Sequence, residues 1–184
     1  EANPWLEPYA RFAPLRELSD QPWWLWPGRY HDPLEFPSAE PTALADEVRY
    51  QCFLQWAVDR QWTALHLYAQ ARGVALYGDV PIFVDLDSAD AWLNQSQFKL
   101  DREGRPQVVA GVPPDAFSVT GQRWGNPHYD WSAMRADGFA WWVARMRRTL
   151  SLFDAVRIDH FRGFESAWEI PAEAPTAVDG HWEP

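Results

Sequence analysis

The sequence predicts an α/β fold, in which two helix-to-strand steps contribute to one parallel sheet and a long insertion separates the strands. The first observation is an amphipathic helical pattern that ends at Gly73 and precedes the apolar run VPIFV at residues 80–84. The second is a later helical pattern that leads directly into AVRID at residues 155–159. The third is the separation of these strands by about 80 residues, where a simple βαβ unit needs roughly 30.

Residues 1–84 are predicted to hold helices and the first strand of the sheet. A short helix is expected around Leu6 to Leu18, before a proline-rich loop. A long helix follows, for which Pro41 suits the first turn and Gly73 provides the stop. Residues 74–84 then form a buried strand that runs into a loop. The apolar residues of the long helix recur at helical spacing and are expected to face the core; they are Leu44, Val48, Cys52, Phe53 and Trp56.

Residues 85–130 are predicted to form an inserted, loop-rich subdomain. Gly104 marks a turn between the apolar segments at 98–100 and 108–109, and the pair Pro113-Pro114 stiffens the next loop. Residues 131–184 are predicted to hold a second amphipathic helix that Asp137 can cap, the later strand, and the loop that follows it. The chain is thus expected to have three parts, and the first and third share the parallel sheet.

Arg157 and Asp159 are the residues of the later strand that point to chemistry. They are two positions apart, so both side chains project from one face of a strand, while Val156 and Ile158 project from the other. A neighbouring guanidinium favours the charged form of a carboxylate, and an ionised carboxylate at the end of a strand can attack as a nucleophile. Such a pair is also common as a structural ion pair, and the pattern alone leaves both interpretations open. Asp79 of the earlier strand is expected at the same edge of the sheet.

Composition limits the classes of partner and location. The chain carries 26 acidic and 16 basic side chains, a formal net charge of -10, and no stripe of Lys and Arg, which argues against nucleic acid and anionic membranes. It also contains 13 tryptophans, whose rings suit amphipathic partners such as sugars, although most are expected to fill space in the core. The single cysteine excludes an internal disulfide and favours a reducing, cytoplasmic location. No apolar run reaches the length of a membrane span.

Four ordered sequence blocks carry a resemblance to a known family. They are GDVPIFV at 78–84 with DSA at 87–89, VAGVPPD at 109–115, TGQRWGNP at 120–127, and VRIDHFRG at 156–163. Together they resemble the amylomaltases, the 4-α-glucanotransferases or disproportionating enzymes, which are related to the α-amylases. The similarity extends to WEIP at 168–171 and PTA at 175–177. It implies that the chain is part of a (β/α)8 TIM barrel with a long inserted subdomain between two barrel strands.

The resemblance also implies the reaction and the residues that perform it. The family cuts an α-1,4 bond of a glucan or maltooligosaccharide and passes the fragment to another sugar hydroxyl. Asp159 would be the nucleophile that forms the covalent intermediate, Arg157 would hold it ionised, and Asp79 would orient Arg157 and line the donor subsite. Ala116 stands where the family commonly carries Tyr, so a stacking contact is not expected at that position. The residues implied to contact or border the glucan are Gln122, Trp124, His160, Asp115 and Phe117.

The family's general acid/base Glu and its second essential Asp are implied to lie on later strands, beyond Pro184. The chain is therefore expected to be a central fragment that is inactive alone and can self-associate through unpaired strand edges. Two alternatives remain: an α-amylase-type hydrolase, which sends the intermediate to water, and a non-catalytic glucan-binding segment. No metal cluster of recognised spacing is present in the sequence, and we expect neither a metal nor a cofactor, since transfer by two carboxylates requires none.

Overall fold

The computed structural model describes residues 3–33 and 42–184, so that Pro41, expected in the first turn of the long helix, lies outside the described residues. The first helix has the bounds expected from the sequence. In chain order the helices and strands are α1 (Leu6–Leu18), α2 (Gly28–His31), α3 (Thr42–Gln70), β1 (Tyr77–Pro81), α4 (Ala89–Leu93), β2 (Val108–Val112), β3 (Gln122–Pro127), α5 (Trp131–Ala136), α6 (Ala140–Leu152), β4 (Ala155–Asp159), β5 (Ala167–Pro171) and β6 (His181–Glu183).

The predicted parallel pair is present and consists of β1 and β4. The pairing places Asp79 opposite Arg157 and Pro81 opposite Asp159. Each strand follows a helix, α3 or α6, as the α/β alternation requires. The two strands begin close to Phe153, because Gly78 has no side chain: a Cβ there would lie 2.6 Å from a ring carbon of Phe153. The mixed α/β class expected from the sequence is therefore confirmed.

The second sheet was not expected. Its four antiparallel strands have the order β3-β2-β5-β6, and Val109 of β2 is opposite Ile170 of β5. Residues 167–183 were expected as part of the loop after the later strand, and this is corrected: they contain β5 and β6. Local periodicity could not reveal this pairing, because it joins segments about 60 residues apart, and register between distant strands depends on tertiary contacts.

The turn at Gly104 forms as expected. The backbone N–H of Asp101 donates to the carbonyl of Arg105 over 2.8 Å, and Leu100 bridges to Pro106. Gly104 itself has a φ of 76°, in the left-handed region that glycine adopts most easily, and a Cβ there would lie 2.5 Å from the ring of Trp23. This turn therefore brings the insertion against the N-terminal loop.

The core lies where the end of β1, the insertion and α6 meet. Ile82 and Phe83 pack there with Tyr129 and Trp142, and the hydroxyl of Tyr129 donates to the carbonyl of Ile82 over 2.6 Å. A second cluster joins Phe12 of α1 to Trp23, Trp26 and Trp92. Four of the 13 tryptophans are thus buried, and four more are partly buried against core clusters, so that most of them fill space as expected; these four are Trp24, Trp131, Trp141 and Trp168.

The apolar stripe of α3 is only partly buried, which corrects the expectation that it faces the core. Leu44 is 6% exposed, whereas Phe53 and Trp56 are 55% and 58% exposed. The reason is geometric, since α1 is the main packing partner of this 29-residue helix and a shorter helix covers only part of its surface. Within the described ranges, no helix combines the length and apolar character that a membrane crossing requires.

Candidate active site

The adjacent strands β1 and β4 hold three charged side chains in a row. Arg157 bridges two carboxylates: its Nε lies 3.2 Å from Oδ1 of Asp79, and its Nη2 lies 3.0 Å from Oδ1 of Asp159. The expectation that Arg157 and Asp159 share one face of the strand is confirmed by the second contact. The three side chains are between 59% and 64% exposed, so a ligand in solvent can reach the carboxylates.

A cavity of about 200 Å³ lies beside Asp159. It joins the ends of the parallel strands to β3 of the insertion, because Trp124 and Asn126 form part of its wall. The lining residues are Pro81, Ile82, Phe83, Trp124, Asn126, Asp159 and His160. The cavity therefore combines one carboxylate, two further polar side chains and two aromatic rings.

Asn126 lines the cavity, although no role was predicted for it from the sequence pattern. Its Nδ2 donates to the carbonyl of Val84 over 2.8 Å and so fastens β3 to the segment that follows β1. The signal was present, since Asn126 lies within the TGQRWGNP block. Its position could not be deduced from spacing, because the contact joins segments 42 residues apart.

His160 follows the nucleophile candidate directly and has an unusual backbone conformation. Its φ of 51° lies in the left-handed region, which few residues other than glycine adopt. Such strain concentrates at functional sites. The imidazole meets the Trp124 ring edge-on, with centroids 5.0 Å apart. Partial burial lowers the pKa of His160, the charge of Asp159 opposes this shift, and Arg162 adds to it. The buried Nε2 has no hydrogen-bond partner among the described residues.

Trp124 is held in place by Gln122. Its indole Nε1 donates to Oε1 of Gln122 over 3.0 Å, and its ring lies 6.4 Å from that of Phe83. Trp124 remains 39% exposed, so part of its ring surface is free to contact a ligand. Gln122 is not among the residues that line the cavity, and its described contact with the site runs through Trp124.

Asp115 and Phe117 lie on the loop between β2 and β3, away from the lining of this cavity. The carboxylate of Asp115 accepts hydrogen bonds from the backbone N–H groups of Phe117 and Ser118, both over 2.8 Å. The Phe117 side chain is 99% exposed. The structure therefore brings five of the eight expected site residues together: Asp79, Trp124, Arg157, Asp159 and His160. Gln122 contacts the site through Trp124, and Asp115 and Phe117 lie outside the cavity.

A second group of titratable side chains lies on the antiparallel sheet. Candidate ligand atoms of Glu169, His181 and Glu183 lie within 4.8 Å of one another. The ammonium of Lys99 already contacts this group, at 2.5 Å from Glu169 and 3.9 Å from Glu183. His128 is adjacent, 3.5 Å from Glu169, and burial lowers the pKa of His128, although the charge of Glu169 opposes the shift. The lysine supplies the compensating positive charge, and we assign this cluster a structural role.

The sequence of the chain is similar to those of known proteins. A family model described as 4-alpha-glucanotransferase matches residues 1–184. The 4-alpha-glucanotransferase of Thermus thermophilus is 52% identical over 180 residues, which covers 97% of this chain and 36% of the relative. That of Streptococcus pneumoniae is 45% identical over 181 residues, with coverage of 97% and 36%. The chloroplastic/amyloplastic protein of Solanum tuberosum is 44% identical over 185 residues, with coverage of 97% and 31%.

Solved structures of amylomaltases are also similar to this chain. The amylomaltase from Streptococcus agalactiae, solved in complex with acarbose, matches with a TM-score of 0.86 and 36% identity, covering 98% of this chain and 37% of that one. The amylomaltase from Corynebacterium glutamicum matches with a TM-score of 0.74 at 23% identity, covering 96% and 23%, and supports the fold alone. The chain spans about a third of the length of the curated relatives that it matches.

Proposed function

The chain belongs to the 4-alpha-glucanotransferase family, and we propose that it supplies the nucleophile side of the active site of a retaining 4-α-glucanotransferase. One observation carries this proposal: Arg157 joins Asp79 to Asp159 at the ends of two parallel strands, beside a cavity walled by Trp124 and His160. A (β/α)8 TIM barrel gathers its catalytic groups at this end of its strands. In such a barrel β1 and β4 would be neighbouring strands, and residues 85–130 would be the insertion that borders the glucan cleft.

The proposed reaction has two steps. The carboxylate of Asp159 attacks the anomeric carbon of a glucan, the bond to the glycosidic oxygen breaks, and that oxygen takes a proton from a second carboxyl group. A hydroxyl of an acceptor sugar then attacks the anomeric carbon and gives its proton to the second carboxylate, while the bond between that carbon and Asp159 breaks; the Asp159 carboxylate is freed and the α configuration is restored. The two carboxyl groups must lie about 5 to 5.5 Å apart. We assign the second one to the longer protein outside these 184 residues, as the family resemblance implies.

Arg157 would act on Asp159 by position and charge. A guanidinium presents its donors in a fixed plane, so bonds from two of its nitrogens to two different carboxylates fix its orientation. Asp79 accepts from Nε and Asp159 accepts from Nη2, which leaves the second oxygen of Asp159 outside this bridge. That oxygen is the one we expect to attack. The row of three charges carries a net charge of -1, which suits a site where positive charge develops on the sugar in the transition state.

Trp124 and His160 would hold the sugar. A pyranose ring has an apolar face that packs on an aromatic ring, and hydroxyls that need hydrogen-bond partners. Trp124 offers a partly exposed ring, and the imidazole of His160 lines the cavity next to it. The acarbose complex of the Streptococcus agalactiae relative supports a saccharide ligand. An α-1,4-glucan or maltooligosaccharide is therefore the proposed substrate, and Asp115 and Phe117 would meet it only beyond this cavity.

A chimera tests the proposal with a complete barrel. The 184 residues replace the matching 180 residues of the Thermus thermophilus relative, and the chimera is assayed for conversion of maltotriose into glucose and longer oligosaccharides. We expect transfer, and we expect Asp159→Asn to reduce it by at least about 10⁴-fold, because the proposed intermediate forms on this carboxylate. The matched control is Asp179→Asn, an exposed carboxylate between β5 and β6, which keeps the activity.

The outcomes separate the alternatives. Transfer that survives Asp159→Asn, or a folded chimera without transfer, contradicts the proposed role of this segment. Release of glucose without longer products indicates the hydrolase alternative, because the intermediate then goes to water. Saccharide binding without any turnover indicates the non-catalytic alternative.

A further inference from the structure

We propose that a groove along α6 is a second α-glucan-binding site, separate from the cavity beside Asp159. The groove consists of two adjoining cavities of about 350 and 440 Å³, which share Trp5 and Arg148. Both volumes fall within the range of roughly 300–1,000 Å³ that is typical of ligand sites. The residues that line them are different from those that line the cavity beside Asp159. The choice of an α-glucan as the ligand rests on the function proposed above.

Three tryptophans are distributed along this groove. Trp62 lines one cavity, Trp141 lines the other, and Trp5 lines both. The polar edges of two rings are fixed by the protein: Nε1 of Trp62 donates to the carbonyl of Leu152 over 2.8 Å, and Nε1 of Trp141 donates to Asp90 over 3.2 Å. Because those N–H groups are satisfied, the ring surface that remains for a ligand is apolar and held in one orientation. Rigid aromatic surfaces bind with a small loss of side-chain entropy.

The charged groups of the groove compensate one another. Arg148 donates to Asp59 over 2.8 Å, and its guanidinium carbon lies 5.4 Å from the centre of the Trp5 ring. Arg145 donates to the carbonyl of Pro81 over 2.6 Å. Since these cations already have acceptors, the groove does not select a charged ligand. The wall also offers polar atoms to a neutral ligand, namely the amide of Gln55 and the side-chain oxygens of Asn94 and Thr149. Asn94 and Thr149 donate to the carbonyls of Asp90 and Arg145, both over 2.9 Å, and their oxygens can still accept from a hydroxyl.

A neutral ligand with apolar faces and many hydroxyls fits this wall, because its faces can pack on the tryptophan rings and its hydroxyls can donate to the oxygens of the wall. Successive sugar rings of an α-glucan have this character, and two adjoining cavities suit consecutive parts of one chain. A second site on the same molecule raises the effective concentration of the glucan at the first site. The groove would therefore increase the affinity for long glucans more than for short oligosaccharides.

The test is a titration of the 184-residue chain, labelled with ¹⁵N, with maltoheptaose. Indole N–H resonances are assigned by single Trp→Phe variants. We expect saturable shifts of the Trp5, Trp62 and Trp141 resonances, with a dissociation constant that is about tenfold higher in Trp5→Ala, the loss of roughly one stacking contact. Trp56→Ala is the matched control, because this exposed tryptophan of α3 lies outside the groove, and it leaves those shifts unchanged.

Trp124→Ala separates this proposal from the function proposed above. It should abolish saccharide-dependent shifts around the cavity beside Asp159 and leave those of the groove. If the Trp124 resonance moves while those of Trp5, Trp62 and Trp141 stay in place, the groove is not a glucan site and the proposed function stands. If cellohexaose, the β-linked analogue, binds the groove as tightly as maltoheptaose, the assignment to α-glucans is wrong. Should Trp5→Ala fail to fold, the shifts in the wild-type chain decide the question.

Discussion

The substitution Arg157→Lys distinguishes a catalytic row of charges from a structural ion pair. Arg157 contacts Asp79 with Nε and Asp159 with Nη2. A lysine carries one ammonium on a flexible stem and cannot present two donors in a fixed plane. It therefore keeps a positive charge near the site but can hold only one carboxylate in its present place.

The expected effects on stability and activity differ greatly in size. All three side chains are more than half exposed, and exposed ion pairs contribute about 0.2–1 kcal/mol each. Losing one of two pairs should lower the free energy of unfolding by less than about 1 kcal/mol. A misplacement of the attacking group by about 1 Å can reduce the rate about 10²-fold. We expect a loss of this size in the transferase activity of the chimera.

The assay combines urea denaturation of the 184-residue chain with product analysis of the chimera. Arg135→Lys is the matched control, since Arg135 is an exposed arginine of α5, outside the row. Activity of Arg157→Lys within about threefold of the wild type would refute the reasoning. So would a loss of more than about 2 kcal/mol in the free energy of unfolding, because the row would then be mainly structural.

Three further predictions follow from the structure. Gly78→Ala places a Cβ 2.6 Å from the Phe153 ring and should lower the free energy of unfolding by about 1–3 kcal/mol in urea titrations. Phe153→Leu should recover part of this loss. An equal effect of Gly78→Ala in the wild type and in Phe153→Leu would show that the contact is not responsible. Hydrogen bonds from Gln70, Leu76 and His66 lower the pKa of Asp154 from 3.8 to about 2. The contribution of Asp154 to stability is therefore complete above pH 3.8 and disappears as the pH falls towards 2. The difference in unfolding free energy between the wild type and Asp154→Asn should shrink over that interval, and a constant difference would contradict the assignment. The isolated 184-residue chain should release no glucose from maltotriose, because we assign the second carboxyl group to the longer protein. Glucose production by material of verified 21.3 kDa mass would disprove this.

Local sequence patterns predicted the elements that depend on neighbouring residues. The bounds of α1, the helix that ends near Gly73, and the strand that carries Arg157 and Asp159 all follow from spacing and from glycine or proline positions. The shared face of Arg157 and Asp159 follows in the same way, because side chains alternate along a strand. The short helix α5 was not predicted. Its start could have been recognised from Asp130, whose carboxylate accepts from the N–H groups of Ser132 and Ala133.

By itself the sequence determined the α/β class, the four blocks that identify the family, and the candidate nucleophile with its neighbouring arginine. Only the tertiary structure decided that Asp79 lies opposite Arg157, that β5 joins the insertion in one sheet, and that Asp115 stays outside the cavity beside Asp159. It also decided which tryptophans are buried and which line the groove along α6. The physical reason is range: a side-chain period is set within a few residues, whereas strand pairing and cavity walls depend on contacts between segments far apart in the chain.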